Sequence, residues 1–97
     1  MKIVFLGKSL PDLKWMWHYY SQVFPAGKDT ARKHFNAAKA ALKRNPLIGV
    51  QTSVGDAREL GIAKTPFSFV YRIDGGTIQV LRVWDGRRDS ADKYTGL

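Results

Sequence analysis

Arg87 and Arg88 stand together in Trp84-Asp85-Gly86-Arg87-Arg88-Asp89, directly after an apolar run. Two guanidinium groups at the end of a strand can bind phosphate, bind a protein partner, or pair locally with Asp85 and Asp89. Exposed local pairs contribute little stability, so the cluster reads as functional. Replacing both arginines by alanine is expected to leave folding intact. A second group is aromatic: Trp15, Trp17, His18, Tyr19 and Tyr20 crowd one short stretch. Trp15 and Tyr19 lie one helical turn apart, and form either an exposed binding pair or a flank packed on the sheet. A third group is cationic. Lys33, Lys39, Lys43 and Arg44 would either contact nucleic-acid phosphates, with steep salt dependence, or steer an acidic segment into place. His18 and His34 carry no ligand spacing and there is no cysteine, which argues against a metal site or a disulfide. Neither metal nor cofactor is expected.

The formal net charge is +8 over 97 residues. Residues 1–46 hold nine Lys and Arg against two Asp, and residues 47–97 hold seven against six acids. The excess lies in the first half and points to an anionic partner. The length suits one small domain over residues 1–97. The opening apolar run is too short for a signal peptide and nothing approaches a membrane span, so a cytoplasmic protein with no membrane contact is expected.

The elements that must position these groups follow from periodicity. Lys2 to Leu6 reads as a first strand. Leu10, Leu13, Trp17, Tyr20 and Phe24 recur at helical spacing behind Ser9, a candidate cap, and Pro11. Phe24-Pro25 ends that helix. A second helix starts at Asp29 or Thr30, carries the stripe Ala31, Phe35, Ala38 and Leu42, and stops at Asn45-Pro46. Residues 47–56 have loop composition. Arg58, Leu60 and Ile62 suggest a strand. Phe67 to Ile73 and Ile78 to Trp84 alternate with period two about Asp74-Gly75-Gly76, a hairpin whose second strand is central. In that strand Trp84 shares a face with Ile78 and Val80. Ser90 to Leu97 is polar and expected to fray. The result is an α+β two-layer sandwich: an antiparallel sheet of about four strands with a helix hairpin on one face, in the order βααβββ.

This order, with Leu10-Pro11-Asp12-Leu13, Asn45-Pro46-Leu47-Ile48-Gly49, Arg58-Glu59-Leu60, Pro66 to Arg72 and Val83 to Asp89, resembles the RelE/ParE superfamily of bacterial type II toxin–antitoxin toxins. The resemblance covers nearly the whole chain and implies a cognate antitoxin as partner. It also implies one of two activities that arrest growth: ribosome-dependent mRNA cleavage in the RelE-like branch, or inhibition of DNA gyrase in the ParE-like branch. Metal-independent RNA cleavage needs a base, an acid and cations about the phosphate. The resemblance would assign that work to Arg87, Arg88, Tyr94 and Lys64. Ser68 stands where RelE-like nucleases tend to place an arginine, and Lys64 is alone where they hold a lysine cluster. The ParE-like branch, which needs no catalysis of its own, fits the helix hairpin and the Asp-Leu and Asn-Pro-X-X-Gly pieces better. In that reading Trp15, Tyr19, Arg82, Arg87 and Arg88 contact target or antitoxin. A non-toxic remnant that keeps only antitoxin binding is the third alternative.

Overall fold

The computed structural model describes residues 1–97. The chain runs β1 (Lys2–Phe5), α1 (Ser9–His18), α2 (Lys28–Arg44), β2 (Val50–Gln51), β3 (Arg58–Gly61), β4 (Phe67–Asp74) and β5 (Thr77–Asp85). The five strands form one sheet in the order β1-β5-β4-β3-β2. The meander β3-β4-β5 is antiparallel and β1 lies parallel to β5. The α+β helix-hairpin architecture is as expected, with two differences. The first is the parallel β1–β5 pairing. The second is a fifth strand, β2, inside the segment whose composition predicts a loop; two residues give no period to detect.

β5 is central, with β1 and β4 on its two sides. The helices cover one sheet face with a core that includes Met16, Tyr20, Phe35, Leu42, Phe69, Tyr71 and Val80. In α2 the buried residues are the expected Ala31, Phe35, Ala38 and Leu42. The helices meet through Trp17 and Phe35, edge to face at 5.3 Å.

The core face of α1 is rotated from its expected position. Leu10 and Phe24 are 56% and 48% exposed, and the buried residues are Ser9, Asp12, Met16 and Tyr20. That 3-4-4 spacing is a proper helical stripe, but two of its members are polar. Ser9 is not the cap. It is the first helical residue, and its Oγ donates to Leu6 O at 2.7 Å. After His18 the helix widens into a π-turn, Tyr19–Val23, followed by a 3₁₀ turn at Pro25–Gly27. The wider turn carries Phe24 off the core stripe.

A bulge redirects β5. Val70 pairs with Arg82 and Tyr71 with Val80, leaving Leu81 unmatched. The extra residue reverses the alternation beyond it. Val83 therefore joins Ile78 and Val80 in the helix-side core. Trp84 leaves the face expected for it and packs with Ala57 and Val70 on the other side.

That second face is covered by the C-terminal segment, which is anchored where fraying is expected. Tyr94 packs on the Ala57–Val70–Trp84 cluster, Lys93 Nζ lies 2.6 Å from the Glu59 carboxylate, and Lys8 Nζ donates to Thr95 O at 2.8 Å.

Candidate functional site

β1 pairs with β5 only as far as Val80, where the Leu6 N–H closes the ladder at 3.0 Å. Beyond that point α1 lies along the edge of β5. Asp12 accepts the Val83 N–H at 3.0 Å and Trp15 Nε1 donates to Asp85 Oδ2 at 3.1 Å. One helix face, three residues apart, thus satisfies a backbone N–H of β5 that no strand covers and the side-chain carboxylate at the end of that strand.

Asp85 ends β5, is buried, and gathers four donors. Besides Trp15 these are the Arg87 N–H at 3.0 Å, Arg87 Nε at 2.9 Å and Arg87 Nη2 at 2.8 Å. Burial pushes the Asp85 carboxyl up, but the hydrogen bonds from Arg87 and Trp15 outweigh it and hold the group at about 2. Arg87 is raised in turn by the Asp85 carboxylate. Its guanidinium stacks on Tyr19 at 4.2 Å and its side chain stays 45% exposed. Trp15 and Tyr19 are themselves 6.3 Å apart between ring centroids. The structure therefore brings Trp15, Tyr19 and Arg87 into one rigid patch, half aromatic and half cationic, ordered from beneath by Asp85.

Arg88 is not part of it. It stacks on Trp84 at 4.9 Å, on the opposite side of the sheet, so the two adjacent arginines diverge. Asp89 pairs with neither; it caps the short turn after it by accepting the Ala91 N–H at 3.0 Å. Arg82 lies buried. Nε and Nη2 donate to Asp12 at 2.8 and 3.0 Å and Nη1 donates to Asp92 O at 3.2 Å, so its guanidinium is committed within the fold. Tyr94 donates to Glu59 at 3.1 Å. Burial, then the Glu59 charge, pushes its hydroxyl up, which makes it a poor base near neutrality. Lys64 sits in the β3–β4 turn at φ 64°, exposed and without a polar partner. Arg88 and Tyr94 thus share the Trp84 side, Arg87 faces the helices, and Lys64 touches none of them.

On α2, Lys33, Lys43 and Arg44 are exposed, while Lys39 is half-buried over Phe35 at 5.6 Å. His18 is exposed beside Trp15, ring centroids 5.7 Å apart. Asp12 and Glu59, which hold Arg82 and the C-terminal segment, stand in two of the pieces that carry the resemblance, but nothing in the local sequence marks either as a polar anchor. Asp85 does carry one, its place two residues before Arg87.

Fold and site together define a small two-layer α+β protein with a half-aromatic, half-cationic patch where α1 meets the end of β5. The family model described as the ParE toxin of the type II toxin–antitoxin system, parDE, matches residues 3–90, and the chain belongs to that family. A solved structure titled "Chromosomal ParDE TA system from P. aeruginosa" is similar, with 26% identity and a TM-score of 0.67. The similarity covers 86% of this chain and 92% of that one. No curated protein matches the chain. No helix is long and apolar enough to cross a membrane.

Proposed function

We propose that this chain is a single-domain bacterial toxin that arrests growth by inhibiting DNA gyrase in the cytoplasm and is neutralised by a cognate antitoxin. The observation that carries the reading is the Trp15–Asp85–Arg87–Tyr19 arrangement. An arginine held bidentately from below and stacked on an aromatic ring loses little entropy on meeting a partner, and tryptophan, tyrosine and arginine are the residues that dominate protein–protein contacts. Membership of the ParE family supports the gyrase target over the ribosome. So does the dispersal of Arg87, Arg88, Tyr94 and Lys64 over separate surfaces, since phosphodiester cleavage needs its cations and its base about one atom. Trp15, Tyr19, Arg87 and Arg88 are the proposed contact residues for target or antitoxin, and Lys33, Lys43 and Arg44 the basic surface that steers an acidic partner.

The test uses purified protein in two reactions, one with gyrase and plasmid and one with translating ribosomes and labelled message. Loss of supercoiling with intact message is the expected result. Cleaved message with unaffected gyrase would overturn it in favour of the nuclease reading.

A further inference from the structure

The outward face of α2 is cationic and carries no apolar anchor. Its buried stripe, Ala31, Phe35, Ala38 and Leu42, turns both large apolar residues of the helix into the core. Arg32, Lys33, Lys43 and Arg44 are exposed on the other side, with Asn36, Ala37 and Ala40 exposed between them. Eleven residues make about three helical turns, so Arg32 lies nearly in line with Lys43, and Lys33 with Arg44, each pair about 16 Å apart along the axis. The helix holds six cations against the single acid Asp29. The ion pairs of the fold, Arg82–Asp12, Arg87–Asp85 and Lys93–Glu59, all lie outside it. None of the α2 charges is neutralised by a carboxylate within the chain.

We infer that this face binds duplex DNA through its phosphates, without base-sequence preference, its two cationic ends meeting opposite strands across one groove. The residue types select that occupant. Charge alone can steer a protein partner, but holding one takes aromatic or large apolar anchors at the centre of the contact, and the outward positions offer none. Single-stranded nucleic acid is held by stacking on exposed aromatic rings. The rings of α2 are Phe35, which is buried, and His34, which is half-buried. Duplex DNA needs only cations that reach its backbones. A separation of about 16 Å is enough to cross a major groove about 12 Å wide, and Ala37 and Ala40 let the helix approach closely between the two ends. Asn36 is the only exposed side chain there that reads a base edge by hydrogen bonds, too little for sequence preference. The surface uses no residue of the Trp15–Tyr19–Arg87 patch, and the inference holds whichever target the toxin acts on.

The probe is a short fluorescently labelled DNA duplex of mixed sequence, titrated with the full chain over a range of salt concentrations. Affinity should fall with salt along a log–log slope of about −3 to −4, as four phosphate contacts at about −0.9 each require. Arg32→Gln/Lys43→Gln and Lys33→Gln/Arg44→Gln should each flatten that slope by about 2 and weaken binding at low salt at least about tenfold. Glutamine is a good helix former, all four positions are exposed, and an unchanged melting temperature verifies each variant's fold. Amide shifts of the isotopically labelled parent chain on adding unlabelled duplex should centre on α2, a readout that needs no variant. Absence of binding at low salt, a slope that neither pair of replacements changes, or shifts centred on Arg87 and Arg88 would each overturn the inference. A single strand bound as tightly as the duplex would overturn it too, and equal binding of polyglutamate would assign the face to an acidic protein instead.

Discussion

Asp12 and Arg82, separated by 70 residues, form a buried bidentate pair at 2.8 and 3.0 Å, and the same carboxylate accepts the Val83 N–H. One side chain of α1 therefore neutralises the only buried arginine and completes the edge of β5 where β1 has ended.

Removing either member alone leaves a buried charge without its partner. Asp12→Ala should lower stability by about 3–5 kcal/mol, a large share of the roughly 5–15 kcal/mol typical of a whole domain. Replacing both by apolar residues, Asp12→Leu with Arg82→Met, should cost less than the sum of the single changes, with the Val83 N–H as the residual loss. Urea denaturation of the three variants checks this. Arg82→Ala should accordingly lose toxicity in proportion to lost folding; a fully folded, inactive Arg82→Ala protein would contradict that account.

The Asp85–Arg87 pair makes stability acid-sensitive. The Asp85 carboxyl titrates at about 2 in the fold, below its ordinary 3.8. A depressed folded pKa contributes stability that is fully present above the unfolded value and is lost as pH falls through the folded one. Stability should therefore drop between roughly pH 4 and pH 2, by about 1–2 kcal/mol after allowance for the solvent-exposed side of Arg87. Asp85→Asn should be less stable at neutral pH and lack this part of the acid limb. Denaturation across that range, with side-chain carboxyl shifts of Asp85, provides the measurement.

The same pair separates the two arginines. Arg87→Ala leaves the buried Asp85 carboxylate with Trp15 as its remaining side-chain donor, so it should destabilise by about 1–3 kcal/mol. The double alanine variant should thus lose stability as well, whereas a pair of surface arginines suggests intact folding. Arg88→Ala, which loses only a stack on Trp84, should stay within about 1 kcal/mol of the parent. If the Trp15–Tyr19–Arg87 patch meets the target, Arg87→Lys should weaken growth arrest in a host cell more than Arg88→Ala does, because lysine can neither fork to Asp85 nor stack on Tyr19 as a plane. Equal loss in both variants would place the contact elsewhere.

Much of this was legible from periodicity. The α2 stripe, the central hairpin and the helix hairpin all follow from apolar spacing, and Asp85 lay two residues from Arg87. The face of α1 did not follow, because Ser9 and Asp12 occupy core positions and a buried carboxylate gives no hydrophobic signal; its warrant is Arg82, far along the chain. Trp84 lies on the face opposite the one its alternation predicts, because a bulge at Leu81 has no composition of its own. β2 and the anchored C-terminal segment depend on partners in β3, Glu59 above all, that local sequence does not announce.

Gly49 and Tyr71 are the remaining pair with a sharp expectation. A Cβ at Gly49 would lie 2.6 Å from the Tyr71 hydroxyl, 2.7 Å from the Tyr71 ring carbon Cε1 and 3.0 Å from Glu59 O. The ring is fully buried and fixed by its hydroxyl bonds to Pro46 and Gly49 and Glu59 O is backbone, so neither can yield cheaply. Gly49→Ala should destabilise by about 1–3 kcal/mol. Tyr71→Phe removes the hydroxyl and should cost a comparable 1–3 kcal/mol, roughly, through two backbone groups left without it. Removing the hydroxyl leaves the ring carbon Cε1 at 2.7 Å and Glu59 O at 3.0 Å from the added methyl, so the double variant should stay strongly destabilised. Hydrogen exchange should show faster opening confined to residues 46–51 in each single variant. Unchanged protection there would mean that Arg58, through its bonds to Leu47 O and Gly49 O, alone holds the segment.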